Sequence, residues 1–335
     1  MQYYMAPMEG LTGYVYRNAF QRYFGGIDKY FTPFLANKKL SHRERNDILP
    51  EHNAGMDVVP QILANRAEDF LCIARELKAY GYDSVNLNLG CPSGTVAAKY
   101  RGAGFLALPA ELDAFLGQIY ETCELKISVK TRIGTEDAGE WETLLAIYEK
   151  YPLEELIIHP RLRRDYYKNV PNWEAYAYAA KHSRHSLCYN GDITDSERYA
   201  KLRERFPQTK KMMVGRGLLA NPRLLEELRA WESCPAAGRD RTWTEREKDR
   251  LRAFCDDILA GYCAVMSGDR NVLFKMKELW TYMGELFEEP QKYLKRIRKA
   301  ESLSAYEAAV SALFAECGLQ GREQVSCGFD EDVLS

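Results

Sequence analysis

No apolar run in the 335 residues approaches the roughly 18 needed to cross a bilayer. The N-terminus has no basic segment leading into an apolar stretch, so a soluble, cytoplasmic protein is expected. No C-x-x-C motif occurs, and the nine cysteines are odd in number and widely spaced. A disulfide framework, a zinc ribbon and a cysteine-ligated iron–sulfur centre therefore lose support. No pair of histidines stands at metal-ligand spacing, and no metal site is expected. An excess of positive charge is missing too: 46 Lys and Arg against 48 Asp and Glu give −2. That excludes a protein that coats nucleic acid through net charge and leaves any RNA contact to a local patch.

The chain is 46% hydrophobic and 28% charged, enough for a sizeable core and too apolar for wholesale disorder. Short apolar runs at 3–6, 28–32, 57–63, 83–88, 126–130, 156–159, 187–190 and 211–214 read as strands. Amphipathic segments of helical length separate them. Asn65-Arg66-Ala67-Glu68 and Thr194-Asp195-Ser196-Glu197 read as capping boxes, with Gly81 stopping the first helix. Strands alternating with helices imply crossovers and a parallel sheet. Eight such units in about 230 residues fit a closed (β/α)8 TIM barrel better than an open sheet.

A Pro-, Gly- and Ala-containing break at 232–242 ends this pattern, and no strand signal follows. The expected division is a barrel over 1–235, a small all-α helical bundle over 243–320 and an acidic tail over 321–335. Thr244-Glu245-Arg246-Glu247 is a third capping box, opening a helix to about residue 265. Further helices are expected at 271–284, 291–300 and 304–317, the last stopped by Gly318. Residues 271–300 carry seven Lys or Arg against four acids, whereas 301–335 carry one Arg against seven. The basic cluster Lys292, Lys295, Arg296, Arg298 and Lys299, with Tyr293 interleaved, suits phosphates; a solvated helix face leaves the same pattern.

In a parallel barrel the reactive groups stand at the C-terminal ends of strands. The residues there are Ala6-Pro7-Met8-Glu9-Gly10, Gln61, Asn88-Leu89-Gly90-Cys91-Pro92-Ser93, Lys130-Thr131-Arg132, His159-Pro160-Arg161, Asn190-Gly191-Asp192 and Gly215-Arg216-Gly217. The last two follow strands seven and eight, where barrels frequently bind phosphate on backbone N–H groups. Gly215-x-Gly217-x-x-Ala220 also matches a dinucleotide fingerprint, but Pro222 follows at once and no acidic strand end lies about 20 residues on. Lys130 closes an apolar strand, so its ammonium either snorkels from the rim or stabilises an anionic electron sink such as the N1–O2 edge of a reduced flavin. His159 is either a structural hydrogen-bonding residue or a cofactor contact. Cys91, between Gly90 and Pro92, leaves a strand in a turn, where a thiol that is mostly protonated near neutrality can serve as proton donor or as nucleophile; a buried structural cysteine is the alternative.

Taken together, the motifs resemble the tRNA-dihydrouridine synthase family. The matching pieces are APMEGLT at 6–12, NLGCPS at 88–93, GAGFL at 102–106, VKTRIG at 129–134, NGDI at 190–193 and VGRGLLANP at 214–222, in the family order. The resemblance implies an FMN enzyme that reduces the C5–C6 bond of specific uridines in tRNA with electrons from NADPH. It implies that Pro7, Met8 and Glu9 line the flavin, that Gln61 hydrogen-bonds it, that Lys130 sits at N1–O2 and that His159 lies close by. It further implies that Asn190, Gly191, Asp192, Gly215 and Arg216 cradle the phosphate and that Asn88 meets the uracil. The mechanism it implies passes hydride from flavin N5 to C6 and has Cys91 protonate C5. Lys99 and Arg101, with Lys292, Lys295, Arg296 and Arg298, are the candidate RNA contacts. Two stretches depart from the family pattern: Pro160 replaces a small residue, and 95–101 reads differently. A barrel of the same type acting on a free pyrimidine, or a non-catalytic tRNA-binding protein, are the competing readings.

Overall fold

The computed structural model describes residues 1–234 and 242–320; the expected acidic tail lies outside the described residues. The strands are β1 (Gln2–Met5), β2 (Lys29–Phe31), β3 (Val58–Val59), β4 (Gln61–Ile62), β5 (Ser84–Leu89), β6 (Lys126–Arg132), β7 (Leu156–His159), β8 (Leu187–Asn190) and β9 (Lys211–Val214). They form one sheet in the order β3-β2-β1-β9-β8-β7-β6-β5-β4, parallel throughout.

The two ends of that order are joined in the chain by Pro60 alone. The single strand expected at 57–63 is therefore present but broken. Val58 and Val59 pair with β2, whereas Gln61 and Ile62 pair with β5. Proline has no N–H to give a ladder, but its carbonyl still accepts from the Asn86 N–H at 2.9 Å. One interrupted strand thus closes an eight-membered ring, and the TIM barrel is as the sequence implies. Helices lie between the strands, among them Tyr14–Tyr23, Ala67–Ala79, Pro109–Thr122, Glu140–Tyr148, Trp173–His182 and Ser196–Arg205.

Two expected caps differ in detail. The helix Ala67–Ala79 begins after Arg66 with no side-chain cap, because the Asn65 carboxamide instead donates to the Lys99 carbonyl at 3.0 Å. At the other site Asp195, rather than Thr194, caps the helix by accepting from the Arg198 N–H at 2.8 Å. Gly81 does take a left-handed φ of +92° after its helix, as a C-terminal stop requires.

Contacts divide the chain into two compact units, the first ending at Leu218 and the second beginning at Leu219. The helix Leu224–Ser233 therefore groups with the second unit, ahead of the composition break. That unit continues with Glu245–Val265, Asp269–Met283, Gln291–Lys299 and Leu303–Glu316. The Thr244 capping box forms with both of its reciprocal bonds. Trp280 donates its indole N–H to the Tyr306 hydroxyl at 2.7 Å, and Phe287 and Phe314 pack edge-to-face at 5.0 Å. Gly318 does not stop the last helix in a left-handed conformation. Cys317 turns extended there, and the following residues pair with Phe287 through a Leu319 bridge. Among the described residues, no helix is long and apolar enough to cross a membrane.

Candidate active site

The turn after β5 is built by Asn88. Its buried carboxamide oxygen accepts from the N–H of Gly90 at 3.0 Å and of Cys91 at 2.9 Å. This fixes the path of the chain to the thiol. The Cys91 carbonyl accepts from Ala103 at 3.0 Å. Gly102 packs beneath with φ +55°; a Cβ there would stand 2.9 Å from the Cys91 oxygen, so a larger residue would displace the turn. Burial pushes the Cys91 thiol up, more than Arg132 and Lys130 draw it down. It is therefore a protonated thiol near neutrality.

Lys130 pairs with Asn88 in register on the adjacent strand. Its ammonium lies 3.8 Å from where a Cβ on Gly90 would be, which puts it under the turn that carries Cys91. No carboxylate pairs with it among the described residues. Burial, aided by the neighbouring Arg132 guanidinium, draws its pKa down to about 8. A desolvated cation without a counter-ion is a place prepared for an anion.

More positive charge stands beside it. Arg132 is buried and donates to the carbonyls of Gly90 at 3.0 Å and Leu162 at 2.7 Å; burial brings its pKa to about 10, so it stays charged at neutrality. Arg161 is buried as well and donates to Asp192 with both terminal nitrogens. Arg216 donates to the same carboxylate at 2.7 Å. Burial works to raise the Asp192 pKa, but Arg161 and Arg216 hold it below the usual carboxylate range. Asp192 thus aligns two guanidiniums and stays ionised while doing so. Tyr167 lies against both Arg216, 4.5 Å from its ring, and Arg132, at 5.5 Å.

His159 sits among these cations. Burial, then Arg132, Lys130, Arg161 and Arg216, hold it well below its ordinary range. Pro160, the departure from the family pattern, makes a tight turn possible: the Arg161 N–H donates back to the His159 carbonyl at 2.7 Å. Such an i to i+2 turn needs a central φ close to the one proline imposes.

The glycines after β8 and β9 lie at close approaches, the tighter one at Gly191. A Cβ on Gly191 would lie 2.2 Å from the Tyr189 hydroxyl; one on Gly215 would lie 3.2 Å from the Ala6 Cβ and 3.4 Å from the Met8 sulfur. Gly215 therefore meets the turn of Pro7 and Met8, both half-buried. Asn190 spends an amide N–H on the Met213 carbonyl at 2.9 Å, stitching β8 to β9. Gln61 accepts from Asn88 at 2.7 Å.

The other sequence-predicted residues are mostly exposed. Glu9 is exposed and paired with Arg43. Lys99 is exposed, whereas Arg101 reaches Asp69 at 3.6 Å and acts as a strut. In the second unit, Lys292, Lys295, Arg296, Arg298 and Lys299 are all exposed on the helix Gln291–Lys299, and none has an acidic partner among the described residues. Tyr293 is a correction to the expected interleaving: it is buried, with its hydroxyl on Glu316. The i+4 spacing to Ile297 puts both on the inner face.

Fold and site together define an enzyme of the (β/α)8 class, with its reactive groups gathered where the strands end. The family model described as dihydrouridine synthase (Dus) matches residues 4–318. The chain belongs to the dihydrouridine synthase family. It is 30% identical over 232 residues to the probable tRNA-dihydrouridine synthase 2 of Bacillus subtilis (strain 168), covering 67% of this chain and 70% of that one. The probable tRNA-dihydrouridine synthase of Staphylococcus aureus (strain COL) is also 30% identical, over 233 residues, with the same coverage of 67% and 70%. Among solved structures, histamine dehydrogenase from Rhizobium sp. 4-9 superposes with a TM-score of 0.53 at 11% identity, over 86% of this chain and 51% of that one. That likeness is one of fold.

Proposed function

We propose that this chain reduces uridine in tRNA to 5,6-dihydrouridine, holding FMN as its redox group and taking electrons from NADPH. The observation that carries the reading is the Lys130 ammonium, unpaired and desolvated, in register with the residue that positions Cys91. The residues present fit the group: a half-buried cation without a counter-ion suits the anionic N1–O2 edge of a reduced flavin, and aligned guanidiniums beside glycine turns suit its phosphate. FMN, when bound, supplies the hydride that adds to pyrimidine C6.

The chain's own residues do the rest. Cys91 donates its proton to C5, and its burial keeps that proton in place until the base needs it. Arg132 and Lys130 then steady the thiolate left behind until water reprotonates it. Asn88 holds the turn, and its remaining amide N–H is the contact proposed for the uracil. The target base has to leave the RNA stack, at a cost of roughly a few kcal/mol. Phosphate contacts by Lys292, Lys295, Arg296 and Arg298 offset it.

The test begins with the purified protein. It is expected to carry a yellow flavin spectrum that NADPH bleaches and unmodified tRNA restores, with dihydrouridine formed and free uracil left unchanged. A colourless protein that makes no dihydrouridine on addition of FMN and NADPH contradicts the reading.

A further inference from the structure

The interior of a parallel barrel is ordinarily filled by Val, Ile and Leu. Part of this one follows the rule: Phe31, Val59, Ile157 and Met213 belong to one apolar cluster. The arc from β4 to β6 does not. Gln61 pairs with Asn86 and Asn86 with Ser128, a row across three strands, and Asn88 pairs with Lys130 one layer nearer the mouth. Gln61 is 1% exposed, Asn86 0%, Ser128 4% and Asn88 6%. Burying so many polar groups is costly unless each is paired.

The pairing runs in one direction. The Ser128 hydroxyl donates to the Val85 carbonyl at 3.2 Å and accepts from Asn86 Nδ2 at 2.8 Å. Asn86 Oδ1 accepts from Gln61 Nε2 at 2.8 Å, and Gln61 Oε1 accepts from Asn88 Nδ2 at 2.7 Å. Asn88 Oδ1 takes the two N–H groups of the Cys91 turn. The two N–H groups of the Cys91 turn impose this sense at one end, and at the other the Ser128 hydroxyl, turned toward Val85, offers Asn86 an acceptor. Turning over any one carboxamide sets N–H against N–H, or oxygen against oxygen. Each carboxamide of Gln61 and Asn88 keeps one N–H that no acceptor takes among the described residues, while its oxygen is engaged within the row.

We infer that Asn86 and Ser128 are positioning residues that lock the Gln61 and Asn88 carboxamides, so that a ring bound at the mouth meets their N–H groups and not their oxygens. Rings bearing carbonyls are the complement, as both flavin and uracil are. An exocyclic amine in the place of the uracil O4 is met donor to donor, so the same lock disfavours cytosine. The inference rests on the function proposed above and adds the means by which the site chooses between pyrimidines.

The test uses the flavin-loaded protein with Ser128→Ala, which removes the acceptor for Asn86, and Asn86→Leu, which cuts the row. Ser128→Thr restores the hydroxyl. Ser128→Ala and Asn86→Leu are expected to lower kcat about tenfold with the KM for tRNA within about twofold, the size of one lost hydrogen bond. They are also expected to shift the visible absorption of the bound flavin and lower its midpoint potential, because an N–H donor to a ring carbonyl favours the more negative reduced form. Ser128→Thr is expected to return all three to wild type. A row that serves packing alone lowers the melting temperature and leaves absorption and potential in place, and that result overturns the inference. A wild-type protein that binds no flavin instead refutes the proposed function. The lock is then read without ligand, from the side-chain amide resonances of Gln61 and Asn88. They are expected to move in Ser128→Ala, and resonances that stay fixed overturn it.

Discussion

The Nε2 atom of His159 lies 3.2 Å from Nη1 of Arg161. A guanidinium has only donors to offer, so this nitrogen accepts, and the imidazole is neutral with its proton on Nδ1. The surrounding cations enforce the same state. An imidazolium here would add a further positive charge to Lys130, Arg132, Arg161 and Arg216.

The sign of the resulting pH dependence follows. The folded protein keeps His159 unprotonated below the ordinary histidine range, whereas the unfolded chain protonates at about 6.5. Stability is therefore lost as pH falls below that value. His159→Gln is expected to flatten the fall in melting temperature between pH 7.5 and pH 5. An unchanged slope contradicts the assignment.

Lys130 gives the opposite trade. Folding draws its pKa from 10.5 to about 8. The cost of burying the charge is present in full below pH 8 and is relieved between there and 10.5, where the unfolded chain binds more protons. Lys130→Met is expected to stabilise the ligand-free protein at pH 7, on the order of 1–3 kcal/mol, while weakening flavin binding at least tenfold. Wild-type flavin affinity is expected to decline above about pH 8. Thermal melts and flavin titrations across pH 7–10 check this, and a destabilised Lys130→Met with intact flavin binding contradicts it.

Cys91→Ala is expected to retain flavin and its reduction by NADPH, and to lose about 10²–10⁴ in dihydrouridine formation, the usual worth of a positioned acid. Single-turnover mixing with tRNA separates these steps. Asn88→Ala leaves two N–H groups of the same turn without their acceptor, and is expected to cost about 1–3 kcal/mol of stability and much of the same activity. A variant as active as wild type sinks the proposed support of Cys91.

The exposed cations of the helix Gln291–Lys299 act over a longer range. Replacing Lys292, Lys295 and Arg296 by Gln is expected to weaken tRNA binding and reduce the slope of log affinity against log salt by about 2–3. Free NADPH oxidation is expected to be unaffected. An unchanged slope removes this helix from the RNA contact.

Much of this was legible in the sequence because barrel chemistry sits at strand ends, where Gly, Pro and polar residues interrupt apolar runs. Cys91, Lys130 and His159 stand out for that reason. Arg132 and Arg161 were visible in the same motifs, but each also reaches a partner 30 or more positions away, which the motif does not show. Asn86 and Ser128 hide within the strand bodies. Their signal was the spacing of Asn86 to Asn88 and of Ser128 to Lys130, two residues apart and so on one face. Tyr293 was misjudged because a short amphipathic helix shows its buried and exposed positions only once its partner, here Glu316, is in place. The cap at Asn65 failed for a similar reason: the Lys99 carbonyl competes for its side chain.

The central claim is that Cys91 and the cationic mouth of the barrel act together to reduce uridine in tRNA. It is tested most directly by nucleoside mass spectrometry of tRNA, mapped by position, from cells lacking this chain and from the same cells given wild type or Cys91→Ala. The account predicts that dihydrouridine disappears from at least one position, returns with wild type and stays absent with Cys91→Ala. Dihydrouridine that is unchanged in the cells lacking this chain, or fully restored by Cys91→Ala, contradicts it.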